Sequence, residues 1–240
     1  ILEGYGLTET SPVLTSNTPG TVKFGSVGKP LENVEIKLAS DNEILAKGPN
    51  IMMGYYNNKE ATKDVIDADG WFHTGDIGEI DEQGYLKITD RKKSIIVTSG
   101  GKNIAPAPLE NALLSSQYIE QVLVIGDKRN FLSCLIVPNF DNVKDYLLSI
   151  GKEATSNEAI IDYPDIVDLF DKELNNAMNE FSSFERIKKF ALLPRQFMIE
   201  KGEMTPKMSI VRKVVEENFK EKIDELYKES NIEKEIEIAE

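Results

Sequence analysis

Four short clusters in this chain carry residue types able to handle a nucleotide and its phosphates. The first, Gly4-Tyr5-Gly6-Leu7-Thr8-Glu9-Thr10, reads as a Gly-rich turn followed by a hydroxyl and a carboxylate. Backbone N–H groups and the Thr8 hydroxyl can hold a phosphate in such a turn, and Glu9 beside them can hold a divalent cation. A lone Gly-x-Gly is also an ordinary turn, so this cluster decides nothing by itself. The second, Trp71-Phe72-His73-Thr74-Gly75-Asp76, ends in an aspartate behind a glycine turn. That carboxylate can accept bonds from both hydroxyls of a ribose, or equally cap the turn. His73 is the one histidine of the chain. With no second histidine to pair with, a structural turn role is expected for it rather than a metal site or a triad.

The third cluster runs from Asp90 to Pro106. Its Ser99-Gly100-Gly101-Lys102 invites comparison with a Walker A loop, which needs a Gly five positions before the Gly-Lys and a Ser or Thr after it. Ile96 and Asn103 occupy those positions, so the chain has no P-loop here. Arg91, between a strand and a basic turn, is a candidate ribose or phosphate ligand. The fourth cluster is Gly202-Glu203-Met204-Thr205-Pro206-Lys207, running on to Arg212-Lys213. A lysine-bearing loop ahead of a helix can deliver positive charge to a phosphate, although such lysines are more often solvated surface.

These residues need elements to place them. Residues 22–89 read as short strands broken by turns. Val34-Glu35-Ile36-Lys37-Leu38 and Tyr85-Leu86-Lys87-Ile88-Thr89 alternate apolar with polar, while Asp41-Asn42, Asp69-Gly70 and Gln83-Gly84 supply turn chemistry. A short helix fits 57–67. Past residue 90 the texture changes. A helix is expected over 108–116, then two apolar strands at 120–127 and 131–138 joined by a turn at Lys128-Arg129-Asn130. Ile166, Phe170, Leu174, Met178 and Phe181 mark an amphipathic helix behind Pro164. A short strand follows at 190–193. Val211, Val214, Val215, Phe219, Ile223 and Leu226 form the stripe of one closing helix. A β-first segment therefore meets an α+β segment near residue 90.

Bulk properties narrow the function classes. The chain has 240 residues, 40% of them hydrophobic and 29% charged, as in a soluble globular protein with a substantial core. A net charge of −13 argues against a general nucleic-acid binder, because a phosphate backbone would be repelled. Part of that acidity lies in the tail after Lys228, and 232–240 is of low complexity. No apolar run approaches the roughly 20 residues that span a bilayer, and no charged-then-apolar leader is seen. The single Cys134 excludes an intrachain disulfide, and its apolar setting at 132–137 implies a core role. A reducing, cytoplasmic compartment is expected.

Taken together and in this order, the clusters resemble the adenylate-forming superfamily of acyl-CoA synthetases, peptide-synthetase adenylation domains and beetle luciferases. Gly4–Thr10 is similar to its adenylate-binding motif, Trp71–Asp76 to its ribose-binding aspartate motif, and Asp90–Pro106 to its hinge motif. The resemblance runs from Gly4 to about Tyr227. The long insert around 139–182 and the 202–213 loop look most like long-chain fatty-acid CoA ligases. The fold it implies is α+β: a small β-barrel-like subdomain followed by a mobile α+β lid domain, truncated from a larger enzyme. Residues 1–90 would close the large domain and 91–240 would form the lid.

The resemblance also implies two half-reactions. A fatty-acid carboxylate attacks the α-phosphate of ATP to give acyl-AMP and pyrophosphate, and the CoA thiol then displaces AMP. Tyr5 and Gly6 would lie against the nucleotide, with Tyr5 on adenine. Thr8 would bond the phosphate and Glu9 would hold Mg²⁺. Asp76 and Arg91 would hold the ribose, and Lys93 would mark the hinge about which the lid swings. Gly100 and Gly101 would leave room for the pantetheine arm of CoA. The partners implied are fatty acid, ATP, CoA and a missing N-terminal domain, with no nucleic acid. Peripheral membrane contact, oligomeric state and chain-length preference stay open.

Two departures from the family pattern bear on catalysis. The superfamily's Ser/Thr/Gly-rich phosphate loop and its acyl pocket are absent here, so the chain alone is expected to be inactive. Long-chain ligases also place a catalytic lysine fifth in a Thr-Pro-Thr-x-Lys pattern, and counted from Thr205 that position is Ser209. Three readings stay open: Lys207 substitutes by a loop shift, adenylation relies less on lysine, or the parent is impaired. Lys207 joins Thr8 and Glu9 as a catalytic candidate. The rival functions are another adenylate-forming ligase, such as an acyl-AMP or acyl-carrier-protein ligase, or a non-catalytic nucleotide-binding module.

Overall fold

The computed structural model describes residues 1–228, so the acidic tail past Lys228 and the low-complexity run at its end lie outside the described residues. The chain divides into two units, Ile1–Ile95 and Ile96–Glu240.

In the first unit, β1 (Gly4–Gly6) pairs antiparallel with β2 (Val13–Ser16), which pairs with β3 (Lys29–Pro30). The expected Gly-rich turn is therefore corrected: Gly4–Gly6 is a strand. Gly6 is required by close approach, because a Cβ there would sit 1.7 Å from the Pro12 carbonyl oxygen. Turn geometry comes only afterwards, in a single 3₁₀ turn at Thr8–Thr10, where the Thr10 hydroxyl accepts the Leu7 N–H at 2.9 Å. The larger sheet is antiparallel and curls as a half-barrel. It contains β4 (Glu35–Leu38), β5 (Glu43–Lys47), β6 (Phe72–Ile80) and β7 (Leu86–Arg91), in that spatial order. Between β5 and β6, α1 (Lys59–Val65) starts at Asn58, whose side chain accepts the Ala61 N–H at 3.0 Å. Tyr5, Leu14, Ile44, Ala46 and Leu86 pack as the core, so the small and large sheets are held by one apolar cluster. Trp71 lies immediately before β6 with the Lys37 and Lys47 ammonium groups 4.0 and 5.7 Å from its ring.

The second unit opens with the short pair β8 (Ile96–Val97) and β9 (Asn103–Ile104), then α2 (Pro106–Leu114). The helix begins two residues ahead of the sequence expectation, since Pro106 suits the first helical position. A hairpin of β10 (Ile119–Ile125) and β11 (Leu132–Pro138) follows. Next come α3 (Phe140–Ser149), α4 (Asn157–Ile161) and α5 (Pro164–Met178), which make the long crossover needed before β12 (Ile187–Leu192) can run parallel to β11. Every residue of β11 is buried, which explains its continuous apolar run. The two faces of the sheet divide by the strand period of two. Val122, Val124, Cys134 and Ile136 meet Leu109, Leu113, Phe170 and Leu174 on one side. Leu123, Ile125, Leu135 and Val137 meet Phe197, Val215, Ile223 and Tyr227 on the other. Burial pushes the Cys134 thiol far up, and its core role holds.

Three expectations shift here. Phe181 lies beyond the end of α5 yet still packs on its core. β12 starts at Ile187, three residues early. The closing stripe is not one helix: α6 (Arg212–Asn218) stops, Phe219 leaves helical geometry at φ −110° and ψ 19°, and helix resumes over 220–228. Among the described residues, no helix is long and apolar enough to cross a membrane.

Candidate functional site

The first unit gathers three candidates on one carboxylate. Gly75 (φ 72°) turns the chain within β6, and Asp76 follows it directly opposite Arg91 on β7. Asp76 is buried; its Oδ2 accepts the Tyr5 hydroxyl at 2.6 Å, and Arg91 Nε lies 3.3 Å from its Oδ1. Tyr5 from β1, Asp76 from β6 and Arg91 from β7 thus converge. Burial first, and then the bond to Asp76, push the Tyr5 phenol well above its ordinary range, so it stays a protonated donor. A carboxylate offers about four lone-pair positions, which leaves two for a pair of sugar hydroxyls. The Arg91 side chain is 75% exposed and free to extend outward.

A second buried carboxylate lies behind this one. Glu43, on β5, accepts the Gly75 N–H at 3.1 Å through Oε1. Its Oε2 is 2.9 Å from both His73 Nδ1 and Lys92 Nζ. Burial alone would raise its pKa, but the bonds from Lys92, His73 and Gly75 outweigh that and hold it below the usual range. Lys92 also reaches Asp41 at 2.8 Å, and the two carboxylates keep its ammonium charged. The turn role expected for His73 is corrected: it is a strand residue whose ring faces Glu43.

Thr8 and Glu9 continue from β1, Thr8 exposed and Glu9 half-buried. The chain that follows β5 wraps this turn. Met52 N–H bonds the Glu9 carbonyl at 2.8 Å, Tyr55 donates its hydroxyl to Glu9 Oε1 at 3.0 Å, and Asn50 Nδ2 bonds the Thr10 carbonyl at 2.9 Å. The described residues contain no group of three or more His, Cys, Asp or Glu placed to hold a metal. A single carboxylate such as Glu9 suits Mg²⁺, which needs few protein ligands when phosphate oxygens and water complete its shell. Lys93 is exposed on the short turn Lys92–Ser94.

The other candidates belong to the second unit. Gly100 and Gly101 lie on the loop between β8 and β9, which Thr98 N–H to Lys102 O (3.0 Å) and Ser99 N–H to Arg129 O (2.9 Å) hold closed. Gly101 needs glycine for its φ of 73°, whereas a Cβ on Gly100 would meet only Thr98 Oγ1 at 3.9 Å. Among the described residues, no packing therefore asks for glycine at 100. Lys207 sits on a hairpin-like loop closed by a Met204–Ile210 bridge and the Thr205 N–H to Ser209 O bond of 2.8 Å. The loop stands clear of the helix that follows it, because α6 begins only at Arg212. Lys207 and Ser209 are exposed and Met208 takes φ 62°. The loop base is rigid. Glu203 is fully buried and takes two bonds from Arg195 (2.7 and 2.8 Å), one from Asn218 (3.0 Å) and one from the Met198 N–H (2.9 Å). Arg195 foremost brings its carboxyl down to about 2. Arg212 turns inward, to the Val124 carbonyl at 2.8 Å and to Glu110.

Sequence reading missed Glu43, Asn50, Tyr55, the roles of Lys92 and Glu203, and Arg195. Glu43, Lys92, Asn50 and Tyr55 act through partners 30 or more residues away, whereas Arg195 and Glu203 lie only eight apart and were missed because no pattern pairs them.

Comparison with known proteins agrees with this architecture. Residues 93–231 match the family described as the AMP-binding enzyme C-terminal domain, and 1–56 match the AMP-binding enzyme family. The chain belongs to this adenylate-forming superfamily. It is 40% identical over 235 residues to the long-chain-fatty-acid–CoA ligase FadD15 of Mycobacterium tuberculosis, covering 95% of this chain and 38% of that protein. It is 34% identical over 249 residues to the human long-chain-fatty-acid–CoA ligase 6, covering 95% of this chain and 34% of the relative. The chain thus spans little more than a third of these relatives. Among solved structures, the adenylation domain of a Mycobacterium chelonae carboxylate reductase superposes with a TM-score of 0.73 at 24% identity, over 94% of this chain and 34% of that one. That likeness concerns the fold alone. O-succinylbenzoate CoA synthetase (MenE) of Bacillus subtilis, solved with ATP and magnesium ion, gives 0.62 at 28% identity, over 88% of this chain and 40% of that one.

Proposed function

We propose that the protein carrying this chain is an ATP-dependent acid–thiol ligase that converts long-chain fatty acids to acyl-CoA through acyl-AMP, and that this chain supplies one wall of its nucleotide site together with its lid. The observation that carries the reading is the convergence of Tyr5 and Arg91 on the Asp76 carboxylate, 2.6 and 3.3 Å from its two oxygens. That arrangement suits a ribose, whose hydroxyls take the remaining lone pairs while Arg91 reaches past them. The relatives named above supply the substrate class.

Within this reading, Tyr5 and Gly6 border the nucleotide and Thr8 donates its hydroxyl to the α-phosphate. Glu9 is the protein's ligand to Mg²⁺, which when bound would neutralise phosphate charge. Residues 1–90 close the large domain and 91–240 form the lid, with Lys93 at the hinge. Gly100 and Gly101 let the pantetheine thiol pass, and the open space at Gly100 supports that role. Lys207, exposed at a loop tip with a fixed base and two residues before Ser209, is the candidate substitute for the family lysine. Splitting the condensation into two steps gives each a stable leaving group: pyrophosphate leaves as acyl-AMP forms, and AMP leaves as the thiol attacks the acyl carbon.

The test is ATP–pyrophosphate exchange and thioester formation by the full-length protein on a fatty-acid panel, beside the 240-residue chain. Exchange and palmitoyl- or oleoyl-CoA are expected from the former and neither from the latter. Exchange without any thioester would favour an acyl-AMP or carrier-protein ligase; no exchange at all would favour a nucleotide-binding module.

A further inference from the structure

We propose that Glu43 is a positioning residue of the nucleotide site, holding Asp76 and Arg91 in place from behind through the residue next to each. The inference rests on reading those two as ribose ligands. Asp76 and Arg91 face each other across β6 and β7, yet neither is fixed by its own strand alone: Gly75 before Asp76 has a left-handed φ of 72°, and β7 ends at Arg91. Glu43 comes from a third strand and grips both weak points. Its Oε1 accepts the N–H of Gly75, the residue before Asp76, at 3.1 Å. Its Oε2 holds Lys92 Nζ, on the residue after Arg91, at 2.9 Å. His73 Nδ1, three residues before Asp76, meets the same oxygen at 2.9 Å.

Burial makes this grip specific. The Glu43 side chain is only 5% exposed, so its charge needs all three donors, and each donor stays where the carboxylate is. At Gly75 a Cβ would have no neighbour within 4 Å, so glycine there answers a backbone need and not a packing one. The left-handed turn is what lets the Gly75 N–H meet Glu43 while Asp76 faces Tyr5. Lys92 carries the grip outward, since Asp41 takes its ammonium as well at 2.8 Å. The segment leaving the first unit is thus pinned at Lys92, and a swing attributed to Lys93 would begin immediately past the pin.

The experiment uses the full-length protein with AMP as the probe, and two readouts. Glu43→Ala should weaken AMP binding about tenfold, Glu43→Gln and the more exposed Lys92→Met about threefold each. The KM for ATP should rise with them while the KM for CoA stays put, a split that general loosening of the fold would not produce. Amide hydrogen exchange at Gly75 and Asp76 should speed up in Glu43→Ala with no nucleotide present. Should that variant not fold, Glu43→Gln and Lys92→Met carry both readouts, with exchange followed at 91–94. Unchanged AMP affinity in all folded variants overturns the proposal, as does a parallel rise of both KM values. If the wild type binds no AMP, the ribose reading falls, and the exchange measurement alone decides whether Glu43 holds the pair.

Discussion

Asp76 and Lys207 are the two charges the proposed function assigns to the nucleotide, and within their own units they are supported in opposite ways. Around Asp76 the support reaches the charge itself: Tyr5 and Arg91 touch its carboxylate, and Glu43 holds the backbone before it. Around Lys207 the support stops one turn short. Glu203, Arg195 and Asn218 lock the base of the loop, and the lysine projects from an exposed tip. A group that recognises a rigid sugar benefits from being fixed beforehand, because its geometry then costs no ordering entropy on binding. A flexible cation on a fixed stem can instead follow a phosphate whose geometry changes during reaction. Under the proposed function, the contrast would put specificity in the first unit and adaptability in the second.

Several substitutions would break or sharpen that contrast. The largest effect is expected at the loop base: Arg195→Ala leaves the Glu203 charge buried without its main partner, and should destabilise the second unit by about 3 kcal/mol in urea unfolding. A first-unit signal should stay put in the same experiment. Acid offers a milder route to the same pair. The Glu203 carboxyl is depressed from 4.5 to about 2, so its contribution is fully present above its unfolded pKa and is lost as pH falls from about 4.5 toward 2. Unfolding followed across that window should show the second unit weakening, and Glu203→Gln should remove that part of the slope. An intermediate effect belongs to Tyr5→Phe, which takes one donor from a buried carboxylate and should cost about 1 to 2 kcal/mol by thermal unfolding of the first unit. Smallest is Lys207→Ala: at an exposed tip it should change stability by less than about 0.5 kcal/mol. If it also leaves ATP–pyrophosphate exchange by the full-length protein untouched, Lys207 is not the substitute lysine. Ser209→Lys should raise exchange if a missing lysine limits adenylation, and no change would point to another group.

Much of the scaffold was readable from local pattern. The β10–β11 hairpin announced itself by two apolar runs and β4 by alternation, and the short helix fitted to 57–67 is α1. What escaped depends on distant partners. Gly4–Gly6 looked like a turn because its strand identity comes from pairing with Val13–Ser16, and its glycine from the Pro12 carbonyl. The stripe over 211–226 keeps helical spacing through Phe219, so periodicity alone does not reveal the break there. Among the site residues, the Asp76–Arg91 and Tyr5 assignments came from their motifs, and the structure adds that they meet. Glu43 was invisible for a simpler reason. As one polar residue at the start of a strand it has no signature, and its donors lie 30, 32 and 49 residues away.

The chain has one tryptophan and one cysteine, and they fall in different units. Trp71, flanked by Lys37 and Lys47, will change its fluorescence when the first unit opens. Cys134, sealed at the centre of β11, will react with a thiol reagent only when the second unit does. Nature has thus installed an optical label in one half and a chemical one in the other, and the melting of each can be followed without touching the sequence.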